Sequence, residues 1–319
     1  MLLLIGCAGS TADVSSSDDA PLPRLSEAQS WALQLSGYER SGAFDRLARA
    51  QADVVVIDPI RSVRGRETFP VAAVVSQIHS RPGPKLPRRL VLAYLNVAQW
   101  EDYRVGADEV PEDLLLGEDP DGWSGHRQVR YWDARWQELL IGPGGAVEQL
   151  LADGFDGVFL DWVLGYHEAT VKRAAEAEGV DPRREMATLL ARIDAAGERL
   201  RPGFVVVAQN AAELGTTASR LTASVDGVTA EPVRFGGRAD AAWESAESAG
   251  SPLPDAHRAL VTELLTAARD AGFVTLALDY ATSDEQVGEA EAHARSIGAI
   301  PFVSRTPLDR LPDRVVAPR

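Results

Sequence analysis

The nine residues Gly154-Phe-Asp-Gly-Val-Phe-Leu-Asp-Trp162 decide the fold of this chain. Their apolar run Gly157–Leu160 is typical of a buried strand, and the run ends on the acid Asp161. A carboxylate is costly to bury without a partner, so an acid that ends a hydrophobic strand indicates a functional edge of a sheet. The segment Asp226–Glu231 repeats the design, because it is apolar in its middle and again ends on a carboxylate.

Short apolar runs of this kind recur along the chain and alternate with segments of helical periodicity. Such alternation predicts βα units and a parallel sheet. The predicted strands are Trp31–Leu35, Val54–Asp58, Leu90–Asn96, Gly157–Asp161, Phe204–Gln209, Gly227–Glu231, Phe273–Asp279 and Ile300–Ser304. Apolar residues spaced by three and four predict helices that include Gly145–Ala152, Arg184–Leu200, His257–Ala271 and Asp284–Ile297.

Eight strands, each followed by helical or loop sequence, predict a single (β/α)8 TIM barrel, and a length of 319 residues suits one. The connection from Val97 to Asp153 is longer than the others and rich in tryptophan, so we expect a long loop excursion after the third strand. The alternative fold is an open, doubly wound sheet. The sequence Leu35-Ser-Gly-Tyr38 after the first strand lacks the glycine-rich phosphate loop of that fold.

Composition narrows the classes of partner and cofactor. The formal net charge is −15 and the pI is near 4.8, which argues against a nucleic-acid partner. The five histidines do not form H-x-x-x-H or H-E-x-x-H, and a single cysteine cannot form a cysteine cluster. We therefore expect no metal and no cofactor. The chain also lacks the G-x-S-x-G element of an α/β-hydrolase nucleophile.

The single cysteine, Cys7, lies in the sequence Leu4-Ile-Gly-Cys7, which resembles the lipobox of bacterial lipoproteins. Residues 1–24 are accordingly predicted to be a signal remnant and a flexible tether, and residues 25–319 the barrel domain. This interpretation predicts a lipid anchor on Cys7, attachment to a bacterial membrane and an extracytoplasmic location. The alternative is a chance match, because neither a basic segment nor a longer apolar core precedes Cys7 in the sequence.

Polar residues stand at nearly every predicted strand end. In a TIM barrel the carboxyl ends of the strands carry the catalytic groups. Two carboxylates at such ends, Asp161 and Glu231, are the pair that cleavage of a glycosidic bond requires. Aromatic side chains stack on the faces of sugar rings, and Trp162 beside Asp161 is the best candidate platform. Trp132 and Trp136, four residues apart, are instead expected to pack within the protein.

Taken together, these segments resemble glycoside hydrolase family 114, typified by endo-α-1,4-polygalactosaminidases and related extracellular TIM-barrel proteins. The resemblance covers roughly residues 31–311. It is carried by Trp31–Leu35, Val56–Asp58, Leu92–Asn96, Glu101–Arg104, Val129–Asp133 with Trp136, Gly154–Trp162, Gln209-Asn210 and Asp226–Glu231. It implies a barrel that hydrolyses an extracellular amino-sugar polymer in an endo-acting mode, with Asp161 and Glu231 as catalytic residues. One departure is Ala98-Gln99, where relatives often carry Gly-Glu.

The resulting mechanism makes Glu231 the general acid, with a raised pKa, and Asp161 either the nucleophile or the base that activates water. Analogy with other barrel glycosidases favours the nucleophile and retention. Candidate sugar-binding residues are Asp58, Tyr94, Asn96, Trp162, Asn210, Asp279, Tyr280 and Arg305.

Two other classes of function stay open. The first is a surface lipoprotein that binds glycans without cleaving them, which the missing loop carboxylate at Gln99 would explain. The second is a purely structural barrel of the cell envelope. The many charges at strand ends argue against a structural role, because like charges crowded together destabilise a site that has no use for them.

Overall fold

The computed structural model describes residues 22–118, 124–216 and 224–316. The predicted lipidation site Cys7 and most of the predicted tether at residues 1–24 lie outside these ranges. Within the described ranges, no helix is both long enough and apolar enough to cross a membrane.

Eight parallel strands form one sheet in which each strand pairs with the next along the chain. The prediction of a TIM barrel is confirmed. All eight predicted strands are present, and their ends agree with the prediction to within one residue. We number the barrel strands β1 (Trp31–Gln34), β2 (Val54–Ile57), β3 (Leu90–Asn96), β4 (Gly157–Asp161), β5 (Val205–Ala208), β6 (Gly227–Ala230), β7 (Val274–Tyr280) and β8 (Ile300–Ser304).

Side chains close the barrel at the seam between β8 and β1. The Trp31 indole N–H donates to the Ile300 carbonyl at 2.9 Å. The same indole contacts the ring of Phe302 at 5.5 Å and that of Phe159 at 6.3 Å, measured between centroids. These three aromatic residues are buried and fill the interior of the barrel between strands that face each other across it. The interior is therefore a packed core, as in other barrels of this type.

In the described part of the chain, eight α-helices accompany the sheet, namely α1 (Ala43–Ala48), α2 (Val71–His79), α3 (Ala134–Ile141), α4 (Ala146–Ala152), α5 (Ala169–Glu178), α6 (Pro182–Leu200), α7 (Asp255–Asp270) and α8 (Asp284–Ser296). The four predicted helices correspond to α4, α6, α7 and α8. Helices do not follow the strands one for one. Between β5 and β6 the described residues hold a short 3-10 helix, Ala212–Thr216, and no α-helix.

The predicted excursion after β3 is present and folds as a small antiparallel sheet, followed by α3 and α4. Its strands are Gln99–Glu101, Leu115–Glu118 and His126–Val129, with the last in the middle. Trp136 anchors the excursion, because its buried indole N–H donates to the Val97 carbonyl at 2.9 Å.

The amino ends of the strands form the edge of the barrel that lies opposite the carboxyl ends. Asp156 is fully buried at this edge. Its carboxylate contacts His79 Nε2 at 2.8 Å, Arg88 at 2.8 Å and Arg201 at 3.1 Å. It also accepts the backbone N–H of Val91 at 2.9 Å. These partners hold the pKa of Asp156 below its usual value although burial acts in the opposite direction. Asp156 therefore stabilises the fold on the side away from Asp161.

Candidate active site

The mouth of the barrel, the edge formed by the carboxyl ends of the strands, brings the predicted acids together. Side chains alternate along a strand, so residues two apart point to the same side. In the register of β3 and β4, Tyr94 lies opposite Phe159 and Asn96 opposite Asp161. Since Phe159 belongs to the packed interior, Asp161 also points inward, at the level where the barrel opens.

Asp161 is held by two hydrogen-bond donors. The Tyr94 hydroxyl donates to Oδ2 at 2.6 Å, and the Trp162 backbone N–H donates to Oδ1 at 2.8 Å. Burial raises the pKa of the Asp161 carboxyl, and the nearby Glu101 charge adds to this, whereas the two donors lower it. The pKa of Tyr94 is raised well above its usual value, first by burial and then by the Asp161 charge. Tyr94 is therefore a permanent donor that favours the ionised form of Asp161.

Glu231 follows β6 directly and is held from both neighbouring strands. The Gln209 amide donates to Oε2 at 2.6 Å, and the Tyr280 hydroxyl donates to Oε1. Burial first, and then the charge of Asp161, raise the pKa of Glu231 to about 7, against the effect of the Gln209 amide. A carboxyl group with this pKa is about half protonated at pH 7 and can act as a general acid there.

Asp161 and Glu231 are both half-buried carboxyl groups at strand ends. Two donors favour the ionised form of Asp161, whereas the pKa of Glu231 is raised to about 7. The charge of one raises the pKa of the other, so they lie within electrostatic reach across the mouth. Two such groups with divided acid and base roles can cleave a glycosidic bond.

A left-handed backbone conformation occurs at two residues that follow inward-pointing strand ends. Trp162, after Asp161, has a φ of 59°, and Asn210, after Gln209, has a φ of 52°. A bulky residue such as Trp162 rarely adopts this left-handed conformation, and strained residues cluster at functional sites, whereas asparagine adopts it readily. The turn at Trp162 places its own N–H on Asp161. The turn at Asn210 places its side-chain oxygen on the Glu231 N–H at 2.7 Å.

Trp162 and Asn210 are therefore positioned beside the two acids, as the sequence predicts. Trp162 is half-buried and Asn210 is exposed, so both remain accessible from the mouth. Their contact with a sugar stays a prediction.

Asp58, at the end of β2, forms an ion pair that the sequence analysis missed. Both of its oxygens accept from the Arg104 guanidinium at 2.8 Å. Arg104 Nε donates to Glu101 at 2.6 Å, and the Tyr103 hydroxyl donates to the same carboxylate at 2.7 Å. Glu101 and Arg104 belong to the segment that carried the family resemblance, and that signal marked their position without assigning a role. Asp58, Glu101 and Arg104 together carry one net negative charge beside Asp161.

Gln99 stands where relatives often carry glutamate, and its side chain takes part in hydrogen bonds with neighbouring residues. Gln99 Oε1 accepts from the Asn96 side chain at 3.3 Å and lies 3.2 Å from His126 Nδ1. Asn96 Oδ1 accepts the backbone N–H groups of Ala98 and Gln99 at 3.3 and 2.9 Å. Asn96, a predicted sugar ligand, is thus buried and shapes the turn at the start of the excursion.

Asp279 and Arg305 likewise hold loops at the mouth. Asp279 Oδ1 accepts backbone N–H groups of Val233, Arg234 and Phe235 at 3.2, 2.6 and 2.8 Å, which fastens the segment after Glu231. Burial raises the pKa of Asp279 to about 6. Arg305 donates to the Ser245 carbonyl at 3.0 Å and to the Ser248 hydroxyl at 2.9 Å. Their roles as sugar ligands stay predictions.

Comparisons with known proteins agree with this geometry. The model of glycoside-hydrolase family GH114 matches residues 11–312. An uncharacterized protein of Deinococcus radiodurans is 29% identical over 300 residues, which cover 91% of this chain and 84% of the relative. The glycoside hydrolase domain of PelA from Pseudomonas aeruginosa has a TM-score of 0.63 and 24% identity, covering 89% of this chain and 97% of that domain. Aspergillus fumigatus Ega3, solved in complex with galactosamine, has a TM-score of 0.61 and 13% identity. The match covers 93% of this chain and 98% of the Ega3 chain.

Proposed function

The chain belongs to glycoside-hydrolase family GH114, and from that membership we propose that it is an endo-acting hydrolase of a polysaccharide that contains amino sugars. Asp161 and Glu231 are its catalytic pair. The observation that supports the assignment is the contrast between these two strand-end carboxyl groups: Tyr94 and Trp162 donate hydrogen bonds to Asp161, whereas the pKa of Glu231 is raised to about 7.

In the first step, Glu231 gives its proton to the oxygen of the scissile bond as that bond to the anomeric carbon breaks. One Asp161 oxygen attacks the anomeric carbon and forms a glycosyl ester. Tyr94 and the Trp162 N–H orient the attacking carboxylate and favour its ionised form.

In the second step, the ionised Glu231 takes a proton from water, which attacks the anomeric carbon and releases Asp161. Loss of the Asp161 charge in the ester lowers the pKa of Glu231, and that favours its role as a base at this stage. The sugar product keeps its anomeric configuration in this mechanism. NMR of the first-formed product measures the configuration, and an inverted anomer would make Asp161 the base instead.

The substrate class is supported by charge. Asp161 and the group of Asp58, Glu101 and Arg104 together make the mouth negative, and the whole chain carries −15. A negative cleft attracts and orients a sugar that carries a free ammonium group. Ega3, which shares the barrel fold, is known in a complex with galactosamine. A galactosaminan-like polymer is therefore the first substrate to test.

The lipobox-like sequence at Cys7 supports a proposal for the location. Acylation of this cysteine would anchor the barrel to a bacterial membrane on the extracytoplasmic side, where such polymers occur. Radiolabelled palmitate incorporation into the wild-type chain, lost in Cys7→Ser, measures the anchor directly. Absence of label from the wild type would contradict it.

The activity is tested by release of reducing ends from partly deacetylated galactosaminan, chitosan and common α- and β-glucans. Asp161→Asn and Glu231→Gln are the controls, since both substitutions preserve shape and remove the reactive group. Release by the wild type that is absent in both variants supports the proposal. Undiminished release by either variant would refute the assignment of that residue. Saturable binding without release would favour the glycan-binding protein.

A further inference from the structure

Arg104 lies near Asp161 and has no step in the proposed mechanism. Its guanidinium donates from Nη1 and Nη2 to the two oxygens of Asp58, each at 2.8 Å, and from Nε to Glu101 at 2.6 Å. Nη1 also donates to the Ser62 hydroxyl at 2.8 Å. These bonds reach three segments: the end of β2, the loop that follows β2, and the excursion after β3. A guanidinium presents its N–H groups in a fixed planar fork, so acceptors in several directions set its orientation.

The backbone around Arg104 joins the same two loops. Arg104 pairs with Val63 in an isolated antiparallel bridge. The backbone N–H of Val105 donates to the Ser62 carbonyl at 2.8 Å. The loop after β2 and the excursion after β3 therefore meet at Arg104, and its side chain and its backbone both hold them together.

The Arg104 guanidinium also lies over two tyrosine rings. Its central carbon is 5.0 Å from the ring centroid of Tyr103 and 6.0 Å from that of Tyr94, the second distance being at the outer range of a cation–π contact. The hydroxyl of each ring donates to a carboxylate, that of Tyr103 to Glu101 at 2.7 Å and that of Tyr94 to Asp161 at 2.6 Å. Arg104 thus contacts the ring whose hydroxyl holds Asp161.

The three charged side chains of this network are shielded from water. Their exposed fractions are 17% for Arg104, 9% for Asp58 and 5% for Glu101. Without the guanidinium fork, two carboxylates of low exposure would lose their partner, and each would have to turn toward water or bind a proton. Either response would change the wall on which the Tyr94 ring lies.

We propose that Arg104 is a positioning residue of the reaction, which fixes the Tyr94 ring and, through the Tyr94 hydroxyl, the orientation and ionisation of Asp161. Its effect on turnover rests on the proposed function, whereas its hold on Asp161 is a property of the protein without substrate. Positive charge alone does not serve this role. A lysine ammonium is a compact point charge and cannot reproduce the fork that bonds Asp58 and Glu101 together, so Arg104→Lys should impair the site.

The first measurement follows Tyr94 by NMR without any substrate. The chain has 6 tyrosines, so isotopic labelling of the tyrosine Cζ atoms gives few signals, and Tyr94→Phe identifies that of Tyr94. Because the Tyr94 hydroxyl donates to Asp161, its signal should move as Asp161 titrates. In Arg104→Lys the midpoint should lie about 0.5 pH units above that of the wild type, since a weaker donor favours the protonated acid. A midpoint that is unchanged or lower would overturn the proposal.

Other groups also act on Asp161 and must be separated from Tyr94. They are Glu101 and His126 on the excursion and Glu231 across the mouth. Arg104→Lys leaves these side chains unaltered and keeps a positive charge near them. A direct electrostatic effect on Asp161 would persist when the Tyr94 hydroxyl is absent, whereas an effect through Tyr94 would not.

The second measurement is therefore a double-mutant cycle in hydrolysis of the polymer. Arg104→Lys should lower kcat/KM about 3- to 10-fold in the chain that retains Tyr94, a factor ordinary for coupled neighbours. In the Tyr94→Phe background it should lower kcat/KM by less than about twofold, because the hydroxyl through which Arg104 acts has been removed. A direct charge effect or a general loss of structure gives the same factor in both backgrounds, and equal factors would overturn the proposal.

Asp58→Asn provides a second variant in case Arg104→Lys does not fold. It keeps the shape of the side chain but leaves one oxygen instead of two to accept from Arg104, so it should give a smaller loss with the same dependence on Tyr94. Arg130→Lys is the matched control, since this arginine of the excursion bonds Glu178 at 2.7 Å; it should change neither the Tyr94 midpoint nor kcat/KM. A wild type that cleaves no polymer would overturn the proposed function, and the NMR midpoint alone would then decide the role of Arg104.

Discussion

Replacement of Glu231 by Gln should make the protein more stable at alkaline pH, by an amount that the site allows us to work out. Glu231 has a pKa of about 7 in the folded protein, against 4.5 for an unperturbed glutamate. The folded state therefore binds the proton more tightly than the unfolded state. By linkage, stability falls as the pH rises from about 4.5 to 7 and stays low above that.

Complete ionisation of Glu231 lowers the free energy of unfolding by about 3.4 kcal/mol, from a difference of about 2.5 between the folded and unfolded pKa at 1.36 kcal/mol per pKa unit. Between pH 5 and pH 8.5 about 2.5 kcal/mol of this should be seen, because the unfolded carboxyl is already largely ionised at pH 5. Glu231 is only half-buried, and water at its accessible edge reduces the cost. We therefore expect about 1.5–2.5 kcal/mol.

The assay is urea unfolding of the wild type and Glu231→Gln in parallel at several pH values between 5 and 8.5. The difference between the two proteins cancels the titrating groups that do not interact with Glu231, including Asp279. It should grow with pH in favour of the variant. A difference that stays constant within 0.5 kcal/mol, taken as the resolution of such curves, would refute the raised pKa. The assignment of Glu231 as the general acid would then lose its physical basis.

Further predictions concern activity and stability separately. The value of kcat/KM should fall about tenfold per pH unit above about pH 7, as Glu231 loses its proton; a profile flat to pH 9 would contradict this. Tyr94→Phe removes a donor that lowers the pKa of Asp161, so the acidic limb of the profile should move to higher pH and kcat/KM should fall about 10- to 100-fold. Steady-state kinetics across pH measures both effects. Asp156→Ala should cost about 3–5 kcal/mol of stability, because it leaves His79 and two arginines without their buried partner. Urea unfolding measures that loss, and kcat per folded molecule should stay unchanged.

Much of the fold could be predicted because its signals are local. The apolar run before Asp161 and the similar run before Glu231 mark strands by composition alone, and their carboxyl ends mark one edge of a parallel sheet. The same reasoning placed Tyr280 and Trp162 near the site. The bounds of each predicted strand agreed to within one residue, since a buried strand of a parallel sheet is apolar on both faces and ends where polar residues begin.

Partners at the site could not be predicted in the same way. Asp58 was expected to hold a sugar, yet its carboxylate is engaged by Arg104, a residue 46 positions later in the excursion. Asn96 and Asp279 were also expected to hold a sugar. Instead, the Oδ1 atom of each accepts backbone N–H groups of nearby loops. Loop packing decides which strand-end groups remain for substrate, and loop sequences carry no periodicity from which that packing could be inferred.

The sequence by itself determined the order of strands and helices, the barrel that they form and the positions of the two acids, because periodicity and strand ends are properties of neighbouring residues. Only the tertiary structure decided what each acid touches. Glu231 meets the Tyr280 hydroxyl 49 residues away, and Asp161 meets the Tyr94 hydroxyl 67 residues away. Such contacts depend on strand register and on the burial that raises the pKa of Glu231. Burial and register exist only once distant segments have packed together.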